Sequence, residues 1–160
     1  MDLYIVRHGI PVDTSDWDGD DSTRPLTDAG EVQAERFFEA LGKSRDIDAL
    51  QRILTSPFAR AQRTAEIAGE VLGVPVEPMA ELASGTTPER VLRALGKRRD
   101  LPERLMLVGH NPDQPMLIGL LTGESSMMHG LDRCGTVRLD GRLQPGGMTV
   151  VWRKAPSGLN

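Results

Sequence analysis

Three short segments carry residues suited to handling an anion. They are Arg7-His8-Gly9, Ser56-Pro57 with Arg60 a turn further on, and Gly109-His110-Asn111. A neutral imidazole is a nucleophile or a general base. A guanidinium grips two oxygens of a phosphate or carboxylate at once. Each segment follows a short strand-like run: Leu3-Tyr4-Ile5-Val6 and Leu105-Met106-Leu107-Val108, which are apolar, and Arg52-Ile53-Leu54-Thr55, with an apolar pair at its centre. Such runs read as buried strands. In open α/β sheets, ligands bind at the carboxyl ends of the strands. If these three are parallel neighbours, the turns meet at one sheet edge. His8, His110, Arg7, Arg60 and at least one helix N-terminus then share a site that favours phosphate.

The remaining pattern supplies the elements that would position this group. Thr27 and Asp28 cap a helix running to about Gly42, with Val32, Phe37, Phe38 and Leu41 as core contacts. Ser56 reads as an N-cap with Pro57 at the first helical position, and that helix ends near Gly73. Ala61, Ala65, Ala68 and Leu72 form its apolar stripe. Val74 to Glu77 reads as an edge strand. Thr87-Pro88 opens a third helix ending near Gly96, and Gly109-His110-Asn111-Pro112 turns into a fourth that stops at Thr122-Gly123. Thr136–Leu139 and Met148–Trp152 read as strands. Strands alternating with helices predict an α/β fold: a three-layer α/β/α sandwich with a mostly parallel sheet, forming one domain over residues 1–160.

Composition narrows the setting. The 39% apolar and 26% charged residues suit an ordinary globular chain, and a net charge of −4 argues against nucleic acid as a partner. A single cysteine, Cys134, excludes an intrachain disulfide. No apolar run approaches the roughly 18 residues that span a bilayer, and the N-terminus lacks a basic leader. The expected location is the cytoplasm, with no membrane partner.

The motifs resemble those of the histidine phosphatase superfamily, which includes the phosphoglycerate mutases. Leu3 to Gly9 resembles its opening. Ser56-Pro57-Phe58-Ala59-Arg60-Ala61-Gln62-Arg63-Thr64-Ala65 is similar to its second motif, and Leu107-Val108-Gly109-His110-Asn111-Pro112 to its third. Arg24-Pro25-Leu26-Thr27-Asp28-Ala29-Gly30 resembles the start of the first helix in short SixA-type phosphohistidine phosphatases. The resemblance spans nearly the whole chain, and its motifs come in the family's order.

It implies a phosphoglycerate mutase-like fold and a catalytic set of His8, Arg7, Arg60 and His110. His8 would attack phosphorus and carry a phosphohistidine intermediate. Arg7, Arg60 and His110 would bind the equatorial oxygens, with Asn111 as a further substrate contact. No cofactor and no metal are implied, because the arginines supply the positive charge. The larger relatives use a carboxylate shortly after a Leu between the second and third motifs as general acid. Here Leu82 is followed by Ala83-Ser84-Gly85. Glu81 and the aspartates of the Asp13–Asp21 loop are the remaining candidates for that proton donor. Ile10 and Arg63 also depart from the family's usual residues.

Other readings fail on spacing. Asp16, Asp18 and Asp20 are placed like EF-hand ligands, but Asp21 stands at the required Gly and Thr27 at the terminal Glu. No hydrophobic strand precedes Asp18-Gly19-Asp20, as a haloacid-dehalogenase-type site requires. Arg138 follows Cys134 too closely for a Cys-x5-Arg phosphatase loop. The acidic loop, Arg63 and Lys97-Arg98-Arg99 read as solvated charges, and His129 as a loop residue. Three functions follow: a phosphatase for phosphohistidine on proteins of the histidine phosphotransfer type, a phosphatase for a small sugar or nucleotide phosphate, or a phosphate-binding module without activity. The imidazoles and guanidiniums together disfavour the last.

Overall fold

The computed structural model describes residues 1–158 of the chain. Ten regular elements build it: β1 (Asp2–Arg7), α1 (Asp28–Ser44), β2 (Arg52–Thr55), α2 (Ala59–Leu72), β3 (Val76–Pro78), α3 (Pro88–Gly96), β4 (Arg104–Gly109), α4 (Asp113–Thr122), β5 (Thr136–Gly141) and β6 (Met148–Lys154). The strands form one six-stranded sheet in the order β3-β2-β4-β1-β5-β6. β1, β4, β2 and β3 pair in parallel, and β5 and β6 join antiparallel beside β1. The chain leaves β1 through α1, skips a place to β2, steps outward to β3 and returns as β4 to fill the gap.

The period-2 geometry of strands sorts the apolar residues onto two faces. Tyr4, Val6, Ile53, Met106 and Val108 pack with Phe37, Phe38 and Leu41 of α1 and Ala61, Ala65 and Ala68 of α2. Leu3, Ile5, Leu54, Leu105 and Leu107 face the other way, onto Val91 and Leu95 of α3 and Leu117, Ile118 and Leu121 of α4. Both faces of the central strands are therefore covered, which is why these strands read as continuous apolar runs. The expected mostly parallel three-layer sandwich is the observed one.

Two expectations need correction. Val32 is 47% exposed. The buried stripe of α1 is Gly30, Ala34, Phe37, Phe38 and Leu41, and Val32 sits two residues, about 200° of helix rotation, from both Gly30 and Ala34. Ser56 does not cap α2, which begins at Ala59 with Phe58 at its N-cap and no side-chain capping bond. By contrast, Thr27 caps α1 as expected, accepting from the Gly30 N–H at 2.9 Å. Gly30 is also sterically required, because a Cβ there would lie 2.4 Å from the Ile10 carbonyl oxygen. The segment from Arg24 to Gly30 thereby docks the start of α1 against the chain just beyond His8. No helix among the described residues is long and apolar enough to cross a membrane.

Candidate active site

β2, β4 and β1 are adjacent and parallel, so their carboxyl ends share one edge. The ladder continues beyond the strands. The Ser56 N–H donates to the Val108 carbonyl at 2.9 Å, and the His8 N–H donates to the Gly109 carbonyl at 3.0 Å. That register sets the His8 and His110 rings edge to face, with centroids 5.3 Å apart. Gln114, buried in the first turn of α4, donates its Nε2 protons to the carbonyls of Val6 and Leu107, both at 3.0 Å. It thus fastens α4 to both strands beneath the histidines.

His8 is 5% exposed. Its Nδ1 lies 2.7 Å from the Gly9 carbonyl oxygen. A carbonyl only accepts, so Nδ1 carries the proton and the lone pair is on Nε2. Burial, followed by the guanidiniums of Arg60 and Arg7, pushes the His8 pKa down to about 4. The ring is consequently neutral at physiological pH, as a nucleophile must be. The turn itself is held by Thr64 of α2, whose Oγ1 accepts from the Gly9 N–H at 3.0 Å and donates to the Arg60 carbonyl at 2.8 Å. On its other side the Cys134 N–H reaches the carbonyls of Arg7 and His8 at 3.0 and 3.2 Å.

Arg7 donates from Nη1 to the Leu131 carbonyl at 3.0 Å. Arg60, 4% exposed, donates from Nη1 to the Asp21 carbonyl at 2.9 Å and from Nη2 to the Asp21 carboxylate at 3.1 Å. Its guanidinium also lies over the Phe58 ring, 5.3 Å from the centroid. Nε2 of His110 sits 2.8 Å from Ser56 Oγ. Burial first, then the neighbouring His8 and Arg60, lowers the His110 pKa to about 3. Nε of Arg7, Nε of Arg60 and Nδ1 of His110 are all buried without a hydrogen-bond partner in the protein. Buried polar nitrogens are rarely left unpaired, and here three belong to neighbouring cationic or N–H-bearing side chains. Such a group can donate hydrogen bonds to an anion with several oxygens.

The structure therefore gathers Arg7, His8, Arg60 and His110 at one sheet edge. Asn111 stands beside them but is exposed. Glu81 is half-buried and forms no ion pair with the four among the described residues. The segment after Leu82 is instead fastened to α4, because Asp113 Oδ2 accepts from the Gly85 N–H at 2.9 Å. Among the acidic-loop residues, Asp21 reaches the site. Its carboxyl is held below the usual range by hydrogen bonds from Arg24 and Arg60, so it stays ionised and is a poor proton donor. His129 is a loop residue, as expected, and is fully buried, with Nδ1 accepting from Arg153 Nη2 at 2.7 Å and Nε2 3.3 Å from Thr122 Oγ1. Arg63, expected to be solvated, pairs with Glu31 at 2.9 Å. The supporting roles of Thr64, Gln114 and Ser56 were not evident from composition or periodicity, since each depends on a partner distant in sequence.

A three-layer sandwich with two imidazoles and two guanidiniums at the strand ends defines a protein of the phosphoglycerate mutase-like fold. The chain belongs to the histidine phosphatase superfamily (branch 1), whose family model matches residues 3–86. It is 38% identical to an uncharacterized protein of Picosynechococcus sp. over 122 residues, 71% of this chain and 68% of that one. It is 29% identical to the phosphohistidine phosphatase SixA of Escherichia coli, over 99% of this chain and 96% of that one. A solved structure of the protein histidine phosphatase SixA complexed with tungstate superposes with a TM-score of 0.86 at 26% identity, covering 100% of both chains.

Proposed function

We propose that this chain is a metal-independent phosphatase that removes phosphoryl groups from histidine on proteins, through a phosphohistidine formed on His8. The observation that carries the reading is the set of buried, unpartnered nitrogens on Arg7, Arg60 and His110 around a neutral His8 whose proton is fixed on Nδ1. The full-length similarity to a phosphohistidine phosphatase supports the same substrate class.

In the first step the Nε2 lone pair of His8 attacks phosphorus in line with the departing nitrogen. The new N–P bond forms as the substrate's N–P bond breaks. Arg7, Arg60 and the His110 N–H hold the equatorial oxygens, whose charge they stabilise in a preorganised site. The substrate ring, protonated from solvent on its other nitrogen, leaves as neutral imidazole. Water then attacks the phosphorus on His8, releasing inorganic phosphate and returning Nε2 with its lone pair. An imidazole, whose conjugate acid has a pKa near 6.5, departs without a strong general acid. An alkoxide does not, since its conjugate acid lies near bulk water at about 15.7. The absence of an acid after Leu82 and the ionised state of Asp21 both favour the imidazole leaving group. The segment from β3 to β4 adds a 3₁₀ turn and one α-helix, α3, and this short connection supports access for a histidine displayed on a helical domain.

The test compares a phosphorylated histidine phosphotransfer domain with a panel of sugar and nucleotide monophosphates, each with and without a strong chelator. The expected result is a much higher kcat/KM for the phosphoprotein, unchanged by chelator, with acid-labile phosphate on wild-type protein and none on His8→Ala. Faster hydrolysis of a metabolite than of every phosphohistidine protein would replace the substrate assignment. Activity lost in chelator and restored by a divalent ion would overturn the metal-free step.

A further inference from the structure

Ser56 is wholly buried at the carboxyl end of β2, yet it does not cap the helix that follows. Its hydroxyl has two partners. It accepts from the Phe58 N–H at 3.1 Å, and it lies 2.8 Å from Nε2 of His110. The His110 ring is also packed edge-on against Phe58, with centroids 5.1 Å apart, so the Ser56-Pro57-Phe58 turn fixes both its position and its plane.

We propose that Ser56 is a positioning residue that sets the tautomer of His110, placing the ring's proton on Nδ1, where it is donated to the bound phosphoryl group. The inference rests on the reading that this pocket binds phosphoryl oxygens. The assignment follows from counting protons. A serine hydroxyl has one proton and two lone pairs, and the Phe58 N–H already occupies one lone pair. If His110 donated from Nε2, the Ser56 proton would have no acceptor in a buried place. Nδ1 would then turn a lone pair toward phosphoryl oxygens that also carry lone pairs. If Ser56 donates to Nε2, every group in the chain Phe58 N–H, Ser56 Oγ–H, His110 Nε2 is paired. The ring proton is then on Nδ1, the buried nitrogen that has no partner in the protein. The ring is uncharged at neutral pH, so it holds one proton and the two tautomers are true alternatives. A single hydroxyl thereby turns His110 from an acceptor facing an anion into a donor.

Long-range ¹H–¹⁵N correlation spectra of protein labelled at histidine read the tautomer directly. With three histidines in the chain, a His110→Gln variant assigns the signal. The expected spectrum of the free wild-type protein at pH 7 shows His110 protonated on Nδ1 and unprotonated on Nε2. Ser56→Ala should move the population toward the Nε2–H form and lower kcat by about 10- to 100-fold, the range of a lost oxyanion donor at its upper end. A wild-type Nε2–H tautomer overturns the proposal. So does a Ser56→Ala protein that loses activity with its tautomer unchanged, or changes tautomer with kcat intact. Should Ser56→Ala fail to fold, the wild-type spectrum decides. Absence of turnover by wild-type protein on every phosphorylated substrate would instead count against the phosphatase reading, which the tautomer measurement in free protein does not depend on.

Discussion

Asp21 engages both terminal nitrogens of Arg60, Nη1 through its main-chain carbonyl at 2.9 Å and Nη2 through its carboxylate at 3.1 Å. The same carboxylate accepts from Nε of Arg24 at 3.0 Å. One residue of the acidic loop therefore orients the guanidinium at the site, and it also places a negative charge beside a pocket suited to an anion. The main-chain contact provides orientation without charge, whereas the carboxylate provides both.

Asp21→Asn separates these effects, because it keeps the carbonyl contact and removes the charge. Asp21 is largely solvated, so its influence is of the size measured for exposed ion pairs, about 0.2–1 kcal/mol. The expected result is tighter binding of inorganic phosphate and a KM lower by about 2- to 5-fold, with kcat little changed. A raised KM would show that the carboxylate's grip on Arg60 outweighs its repulsion of the substrate.

The buried histidines predict how stability follows pH. Both folded-state values, about 4 for His8 and about 3 for His110, lie below the unfolded value near 6.5. Below that pH the unfolded chain takes up protons that the folded chain refuses. Stability is then complete above about pH 6.5 and falls as the pH drops toward the folded values, by about 1.4 kcal/mol per pH unit for each ring. Urea denaturation at pH 7, 5.5 and 4.5 should show this loss, steeper in the wild-type protein than in His110→Gln. Ring ¹H signals of His8 should titrate below pH 5. A His8 midpoint near 6.5 would mean that the ring is solvated and that the nucleophile is half protonated at mildly acidic pH.

The parts of this arrangement that were legible in the sequence are those fixed by local pattern. Leu3–Val6 and Leu105–Val108 are apolar on both faces because helices cover both sides, and Gly73 and Gly123 end α2 and α4 in the left-handed conformation as turn chemistry requires. His8, Arg7, Arg60 and His110 could be grouped because each sits at the end of such a run or one turn beyond. The errors lie where a residue's partner is remote. Ser56 has the composition of a helix cap, but its hydroxyl serves His110, 54 positions away. The acidic loop reads as a solvated charge run or as a source of one carboxylate for the site; all five of its aspartates are exposed, and Asp21 among them meets Arg60 across 39 positions. His129 lies in a loop as its glycine-flanked segment suggests, but its burial and its hydrogen bond from Arg153 of the last strand show only in three dimensions. Val32 is apolar yet exposed, because helical phase decides which face of α1 is buried.

Arg60→Lys tests whether the fork of the guanidinium matters beyond its charge. Lysine would preserve a cation but could not hold both contacts with Asp21 and also present a separate buried N–H, as Arg60 Nε does. The expected loss in kcat/KM is of order 10²-fold, as for removal of an oxyanion donor. Near wild-type kinetics would mean that Arg60 acts only as a diffuse positive charge.

Thr64 forms no hydrogen bond with the imidazoles or with the guanidinium of Arg60. Its hydroxyl is fully buried and closes a bridge between two motifs, accepting from the Gly9 N–H at 3.0 Å and donating to the Arg60 carbonyl at 2.8 Å. The Gly9 N–H belongs to the peptide next to His8, in the residue whose carbonyl fixes the His8 tautomer. Space around that turn is limited: a Cβ on Gly9 would meet Cys134 Sγ at 3.2 Å, so the turn has little freedom to seek another acceptor. Thr64→Val keeps the shape and removes the acceptor, leaving a buried N–H unpaired at a cost of about 1–3 kcal/mol. For a chain of this size that corresponds to a Tm lower by roughly 2–10 °C. Thr64→Ser, which restores the hydroxyl, should recover most of the loss. Activity should follow stability only in part. Because the Gly9 peptide also orients His8, Thr64→Val should lower kcat several-fold even at temperatures where the protein is fully folded, with KM for the phosphoryl substrate little affected. Equal Tm and kcat for the valine and wild-type proteins would show that the turn holds its geometry without this bridge.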